Sequence, residues 1–437
     1  METMLDKSNT TPTTGVNTVH LGMVGFGTVG TGVYKVLERH PELVFEKIAV
    51  RDTQKARQVE GLNADLITAD PFEVVRDASV QVVIEVMGGV DIAKNLITEA
   101  LQNGKHVITA NKELIAKHGA ELLALANKKN VRLLFEGAVA GGIPIIMPLK
   151  LSLAANQVEV MAGILNGTTN YILTKMSQEG WDFETALKTA QEKGFAEADP
   201  TNDVDGFDAA YKIAILSSIA FNQSVNPEDV HCEGIRSITA EDIQTADKLG
   251  YVIKLIALAK KSADSNPDIR VHPMLVSKHH PLANVENEYN ALWVLGDAVG
   301  DVMFYGKGAG ELPTASAVCA DILAVCRGLL KGNDPIPSMT FEYQGSTPLS
   351  SIENTTNRYY IQVNTADTPG VIGNLGQACG KHGVSLDSVM QQGTHADGNA
   401  CIVLLTHEVT EGEMQAALKD IEAQPTTQSI GAMIRVL

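Results

Sequence analysis

Residues 194–212, GFAEADPTNDVDGFDAAYK, gather Glu197, Asp199, Asp203, Asp205 and Asp208 ahead of a single lysine, Lys212. Asp208 and Lys212 stand four apart in a run, 204–222, whose apolar residues have helical spacing. On a helix, positions i and i+4 share a face, so this acid and this amine can meet. An amine that loses or takes a proton beside a carboxylate is what alcohol–carbonyl interconversion requires. Taken alone, the same run would be a solvated acidic loop followed by an exposed ion pair. Its company elsewhere in the chain favours chemistry.

The chain has 437 residues, 44% hydrophobic and 20% charged, which is the composition of a globular protein of two or three domains. A formal charge of −18 argues against a nucleic-acid partner, because phosphate binding needs a basic surface. No uninterrupted apolar run reaches membrane-spanning length, so no membrane crossing is expected. Residues 1–15 are polar, without the apolar centre of a secretory signal, and are expected to be a disordered leader. Cys232, Cys319, Cys326, Cys379 and Cys401 are scattered without metal-ligand spacing and are expected to be reduced thiols, implying a cytoplasmic protein.

A strand pattern at 18–24 runs directly into Gly25-Phe26-Gly27-Thr28-Val29-Gly30 and then a helical pattern through Arg39. In that context GxGxxG marks a dinucleotide site. The first glycine permits the turn, the second lets the pyrophosphate approach, and the third lets the helix pack, its N-terminus facing the anion. A second strand, 44–50, ends in Arg51-Asp52. An arginine there suits the 2′-phosphate of NADP(H) and an acid the ribose of NAD(H), so NADP(H) is favoured with NAD(H) open. The bland alternative is a solvated loop arginine. Further strands at 80–86, 106–109 and 132–135 alternate with helices, the rhythm of a doubly wound parallel sheet. Loops leaving the carboxyl ends of such strands line the cofactor cleft. Two stand out: Met87-Gly88-Gly89, whose small residues leave space for the nicotinamide, and Ala110-Asn111-Lys112, which either faces the reacting centre or merely caps a helix. Residues 136–144, EGAVAGGIP, would suit a hard monovalent cation through oxygen ligands, or equally a structural glycine turn.

From residue 151 the pattern becomes mixed α+β, with strands expected at 158–165, 270–276, 288–294 and 301–305. Asn166-Gly167-Thr168-Thr169-Asn170 opens a helix, either holding a small polar substrate or capping. The glycine-rich turn 306–313 includes Gly310, whose backbone amide is a candidate to lie against the cofactor, and it leads into a long apolar helix. That helix, 313–331, is expected to pack back on the nucleotide domain. The tail is ordered βαββαβ, the ferredoxin-like arrangement, and suits a ligand sensor or an assembly module. The expected division is therefore a leader at 1–15, a Rossmann-type domain at 16–150, and a substrate and dimerisation domain at 151–312. A linker at 332–356 and a regulatory domain at 357–437 complete it.

Together these residues resemble homoserine dehydrogenase, from about Val16 to the C-terminus. The most specific segment is Gly-Phe-Ala-Glu-Ala-Asp-Pro…Asp-Val-Asp-Gly…Asp…Lys at 194–212. The tail resembles an ACT domain, with Asp367-Thr368-Pro369-Gly370 at its first turn. No aspartate-kinase segment precedes the nucleotide domain, so a monofunctional protein is expected. The resemblance implies interconversion of L-aspartate 4-semialdehyde and L-homoserine with a nicotinamide cofactor, in the route to threonine, methionine and isoleucine. It implies that Glu197 binds the substrate ammonium, with Asp203 and Asp208 in the same polar pocket. Lys212 and Lys112 are the proton-transfer candidates, with Lys212 favoured. Glu136, Val139, Gly141 and Ile143 match a sodium site, the last three through backbone carbonyls. L-Threonine is the implied effector, and a homodimer or homotetramer the implied assembly. An unperturbed lysine titrates near about 10.4, so homoserine oxidation through one would favour alkaline pH unless burial lowers that value. The competing class, a non-catalytic dinucleotide and amino-acid sensor, leaves Glu197, Asp208 and Lys212 without purpose.

Overall fold

The structure, a computed structural model, describes residues 17–55, 57, 59, 61–261, 266–332, 348–394 and 399–437. The expected leader and most of the expected linker lie outside the described residues. The chain divides into two compact units, residues 1–138 with 310–342 and residues 139–309 with 343–437.

In the first unit, β1 (Val19–Val24), α1 (Thr28–Leu37), β2 (Leu43–Ala49), β3 (Ile67–Thr68) and α2 (Pro71–Arg76) come first. They are followed by β4 (Val82–Glu85), α3 (Asp91–Gln102), β5 (His106–Thr109), α4 (Lys112–Lys128) and β6 (Leu133–Leu134). The strands form a parallel sheet in the order β3-β2-β1-β4-β5-β6, a doubly wound topology. Every residue of β4 is buried, as a parallel strand covered on both faces requires. The sheet order reverses between β1 and β4, so the loops after these two strands flank the crevice where ligands bind in such folds.

The long apolar helix, tenth in chain order (α10, Glu311–Lys331), belongs to this unit, as expected. Cys319 Sγ donates to the Val33 carbonyl, and Lys35 pairs with Glu311 at 2.7 Å, fixing α10 along α1. Among the described residues α10 is the one helix long and apolar enough to span a membrane, yet its Ala, Val and Cys face is buried in this unit. The unit ends at Ala138, earlier than the expected residue 150. Beyond it the chain turns through Ala140 and Gly141, both with φ in the left-handed region, and Gly142 N donates to the Lys307 carbonyl in the second unit.

The second unit opens with β7 (Val158–Ile164), α5 (Gly167–Glu179), α6 (Phe183–Glu192), α7 (Thr201–Val204) and α8 (Phe207–Ala220). The run expected as one helix over 204–222 is instead interrupted at Gly206 (φ +88), and the helix restarts at Phe207. Asp208 and Lys212 remain on one helix, so the inference of a shared face survives the break. Next come β8 (His231–Cys232), α9 (Ala240–Lys248), β9 (Tyr251–Lys260), β10 (Asp268–Ser277), β11 (Tyr289–Gly296) and β12 (Gly300–Lys307). The tail supplies β13 (Thr356–Ala366), α11 (Val371–Lys381), β14 (Leu386–Thr394), β15 (Asn399–Thr406), β16 (Val409–Thr410), α12 (Glu411–Glu422) and β17 (Thr427–Val436).

The tail is βαββαβ as expected, but it is not a separate body. One sheet runs β12-β11-β7-β9-β10-β17-β13-β15-β14 through both halves of the unit. The joint is β17, antiparallel to β13 on one edge and parallel to β10 on the other, where Met274 faces Arg435 and Leu275 faces Val436. Tyr359, Ile361, Leu375, Leu404, Met414 and Ile421 form the apolar core between the tail's sheet and its two helices.

Candidate active site

The chemistry-bearing residues of the second unit converge where β7 hands over to α5. Asn166 is the N-cap of α5, its Oδ1 accepting from Thr169 N at 2.8 Å, which serves one of the helix's orphan amides. That leaves its amide NH₂ to donate to Asp203 Oδ1 (2.7 Å) and Asp208 Oδ2 (2.9 Å). Thr168 Oγ1 lies 2.6 Å from the Phe195 carbonyl and 3.1 Å from Asp203 Oδ2. Lys212 Nζ donates to Asp208 Oδ2 and to the Leu165 carbonyl, both at 2.7 Å. Asp208 is 3% exposed and Lys212 9% exposed, so this is no solvated surface pair. The two carboxylates, Asp208 buried and Asp203 half-buried, share the Asn166 amide, and the Lys212 ammonium bonds to Asp208. Burial, and then the charge of Asp208, push the Asp203 carboxyl above the usual range, while hydrogen bonds from Asn166 and Thr168 and the charge of Lys212 oppose this. Glu197 is exposed on the loop before α7, outside this cluster, with its carbonyl accepting from Gln191 Nε2.

The nucleotide half is built from backbone. Gly25 has φ +101, a conformation that side chains resist, and its N–H donates to the Ala49 carbonyl across β2. No side chain caps α1 at Gly27, and a Cβ placed there would meet nothing within 4 Å. Phe26, Thr28, Val29 and Gly30 complete the turn, where a Cβ on Gly30 would lie 2.3 Å from the Gly25 carbonyl oxygen. The open cradle and the uncapped helix start fit a dinucleotide pyrophosphate. Arg51 is exposed, whereas Asp52 Oδ1 is occupied by the amides of Gln54 (2.9 Å) and Lys55 (3.2 Å).

The loop carrying Gly88 is held by a buried network. Glu85 accepts from Met87 N (2.9 Å), Gly88 N (3.3 Å) and Thr109 Oγ1 (2.6 Å). Asn111, the N-cap of α4, donates its Nδ2 to the Gly89 carbonyl at 2.6 Å. Burial pushes the Glu85 carboxyl up against these donors. Lys112 is half-buried as the first residue of α4, and Gly310 (φ +121) caps α10 in the same unit.

Glu136 is buried in this unit, its N–H donating to Asp321 Oδ2 at 2.8 Å. The facing Asp321 carboxyl is driven well above its ordinary range by burial and then by Glu136. In the second unit Val139 and Ile143 are buried in the turn around Gly141, whose Cβ would collide with the Gly308 carbonyl.

Profiles of known families match three successive stretches of the chain. The NAD-binding domain of homoserine dehydrogenase matches residues 25–136, homoserine dehydrogenase itself residues 144–323, and the ACT domain residues 359–426. A homoserine dehydrogenase from Synechocystis is 47% identical over 434 residues, spanning 96% of this chain and 100% of the relative. The chain belongs to the homoserine dehydrogenase family. The crystal structure of a homoserine dehydrogenase from Thiobacillus denitrificans matches with a TM-score of 0.90 at 40% identity, over 97% of this chain and 99% of that one. A hyperthermophilic archaeal homoserine dehydrogenase in complex with NADPH matches with a TM-score of 0.60 at 30% identity, over 70% of this chain and 97% of that one.

Membership of the homoserine dehydrogenase family makes the chain an oxidoreductase with a nicotinamide dinucleotide cofactor, acting on homoserine and aspartate semialdehyde. It carries an ACT domain, the amino-acid-binding module. The sequence left Asn166 and Thr168 with two alternatives, substrate or cap, and Glu85 with no role. Asn166 and Thr168 lay in a polar turn that equally suited a cap, and Asn166 turns out to use both ends of its amide. Glu85 was the one carboxyl in an apolar strand pattern, a signal that was present at 80–86 and went unused.

Proposed function

We propose that this chain interconverts L-aspartate 4-semialdehyde and L-homoserine with NADP(H), and that Lys212 transfers the proton. The buried Asp208–Lys212 pair, 2.7 Å apart on one helix, carries this reading. When bound, the nicotinamide supplies or accepts the hydride at its C4. Lys212 meets the developing alkoxide with positive charge and gives it a proton. Asp208 and the Leu165 carbonyl hold the ammonium in place, and Asn166 holds Asp208. Glu197, on the exposed loop before α7, binds the substrate ammonium with Asp203 lining the polar pocket, and Lys112 orients the substrate or shares the proton transfer. Gly25 to Gly30, Gly88 and Gly310 receive the cofactor, with Arg51 at the 2′-phosphate. The engaged carboxylate of Asp52 favours this over NAD(H). Among the described residues no three His, Cys, Asp or Glu side chains form a metal cluster. The cation we propose is sodium, held by Glu136 and by carbonyls of Val139, Gly141 and Ile143, since carbonyl and carboxylate oxygens suit hard ions.

L-Threonine is the proposed effector. In the ACT domain a cavity of about 260 Å³ is lined by residues 365–373 with Gln391, Ala400 and Ile402. α11 starts at Gly370 (φ +94) without a side-chain cap, an N-terminus open to a carboxylate. A homodimer or homotetramer is proposed because the edge strand β12 exposes Met303 and Tyr305; a monomer by light scattering would reject it. One assay tests the rest: consumption of NADPH and of NADH with L-aspartate 4-semialdehyde, with and without L-threonine. Rapid NADPH turnover, lowered by threonine, is expected. Folded, cofactor-binding protein without turnover would instead leave a sensor.

A further inference from the structure

The joint between the ACT domain and the substrate half holds a chain of charge, buried at Arg435 and Glu411 and partly open to solvent at Glu233, that neither half explains alone. Arg435, on β17, is 2% exposed. Its Nε and Nη2 donate to Glu411 at 2.8 and 2.9 Å, and its Nη1 and Nη2 donate to Glu233 at 3.0 and 2.9 Å. Glu411 opens α12 within the ACT domain, and Tyr359 Oη also donates to it at 2.8 Å. Glu233 belongs to the substrate half, directly after β8, with its N–H donating to the Val271 carbonyl at 2.8 Å. A bidentate guanidinium bridging two carboxylates has one geometry, so Arg435 fixes Glu233 in place as well as in charge.

Residues 232–236 form a strap pressed on the corner between α7 and α8. A Cβ on Gly234 would lie 2.4 Å from the Val204 carbonyl oxygen and 2.6 Å from Asp205 Cα. Ile235 N donates to the Val204 carbonyl at 2.9 Å, and Arg236 Nε to Asp205 Oδ1 at 2.6 Å. Cys232 Sγ donates to the Asp205 carbonyl at 3.2 Å. The clamped residues 204–206 separate Asp203, near the end of α7, from Asp208, in the first turn of α8. Those two carboxylates must sit where one amide, that of Asn166, reaches both. On its other side the strap borders a cavity of about 550 Å³, walled by Gly431 to Ile434 and Gln362. Fully buried Ile235 anchors the middle of the strap in the core, while its start is held by Glu233, which pairs with Arg435 and with His231 Nε2 at 2.6 Å.

We propose that Glu233 and Arg435 are positioning residues for the reaction: through the strap 232–236 they set the spacing of Asp203 and Asp208, and with it the placement of Lys212. The proposal rests on the reading of Lys212 as the proton-transferring group. The ACT domain thereby touches the catalytic helix through its last strand, without any of its residues entering the site.

Glu233→Gln keeps the shape of the side chain and leaves Arg435 paired with Glu411. In the intact chain it is expected to fold, to lower kcat for homoserine oxidation about tenfold or more and to raise KM for homoserine, with KM for NADP unchanged. Arg435→Lys, which keeps the charge but loses the fork, should give an intermediate loss. A lowered melting temperature with wild-type kcat and homoserine KM would mean that the pair only staples two halves together, and would overturn the proposal. Should Glu233→Gln fail to fold, Arg435→Lys carries the same criteria. Lys212→Ala is assayed alongside: undiminished turnover there removes the site that the strap would serve. Collapse there, together with wild-type constants in Glu233→Gln, rejects the strap alone.

Discussion

The two halves of the reaction are built by opposite means. The nucleotide unit presents glycines and helix starts, an open cradle at Gly27 and Gly88 where an added Cβ meets nothing. The substrate half presents charged side chains packed against one another, with Asn166, Asp203, Asp208 and Lys212 each serving the next. Backbone can bind an anion that any dinucleotide carries. A proton must be moved at one atom, which takes a titratable group held at hydrogen-bond distance. Such a group is costly to bury, so its partners must be built with it.

Removing Lys212 is the largest break in that comparison. Lys212→Ala leaves the Asp208 carboxylate buried beside Asp203 without a cation and takes away the proposed proton donor. Turnover should fall by about 10²- to 10⁴-fold, the usual share of general acid–base catalysis, with cofactor affinity retained. Asp208→Asn should cost nearly as much, and the double variant little more, because the two act as one unit. Steady-state kinetics with a separate cofactor-binding titration decides it. Loss of cofactor binding in Lys212→Ala would erase the distinction between the two halves.

A pH experiment probes the nucleotide unit away from its loops. His106, at the start of β5, accepts from Arg132 N through Nδ1 at 3.0 Å. Burial first, and then the charge of Arg132, lower it to about 4. An unfolded histidine titrates near about 6.5, so between these values the unfolded chain binds more protons and stability rises with pH. The contribution is complete above the unfolded value and is lost as pH falls through the folded one, on the order of 3 kcal/mol in all. Urea unfolding at pH 7 and at pH 4.5 should show a smaller drop in His106→Asn, whose amide oxygen can still accept from Arg132. An unchanged drop would mean that other groups carry the acid sensitivity. His272 in the second unit is likewise held neutral by full burial, with Arg435 and Arg270 adding to the effect, so both units should weaken together in acid.

Most of the fold was legible because its signals are local. GxGxxG between a strand and a helix, the spacing of Asp208 and Lys212, and the order of elements in the tail each need only a short window of sequence. β9 was not legible: its residues are buried without alternation, and an apolar run of that length does not distinguish strand from helix. Gly206 hides its break because a glycine inside a helical pattern is tolerated as often as it ends one. The pairing of β17 with β10 lies beyond any local reading, since it depends on residues far apart in the chain meeting edge to edge. The same holds for the cluster around Asn166, whose partners come from α7 and α8.

Cofactor choice is the finest point of contrast, because there our proposal gives the nucleotide unit a side chain to use. Asp52, the acid at the ribose-diol position, spends Oδ1 on the amides of its own turn, and Arg57 Nη2 donates to its carbonyl at 2.7 Å. That turn is thus closed on itself and leaves Arg51 exposed at the end of β2. A guanidinium there can bind a 2′-phosphate by two parallel hydrogen bonds, an interaction NADH lacks. Arg51→Ala should raise KM for NADPH about tenfold, the effect of losing one exposed charge-assisted contact, and leave KM for NADH unmoved. Parallel losses with both cofactors would make Arg51 a support of the loop, and the preference would then have to come from Lys55 or Arg57, the other cations of the same turn.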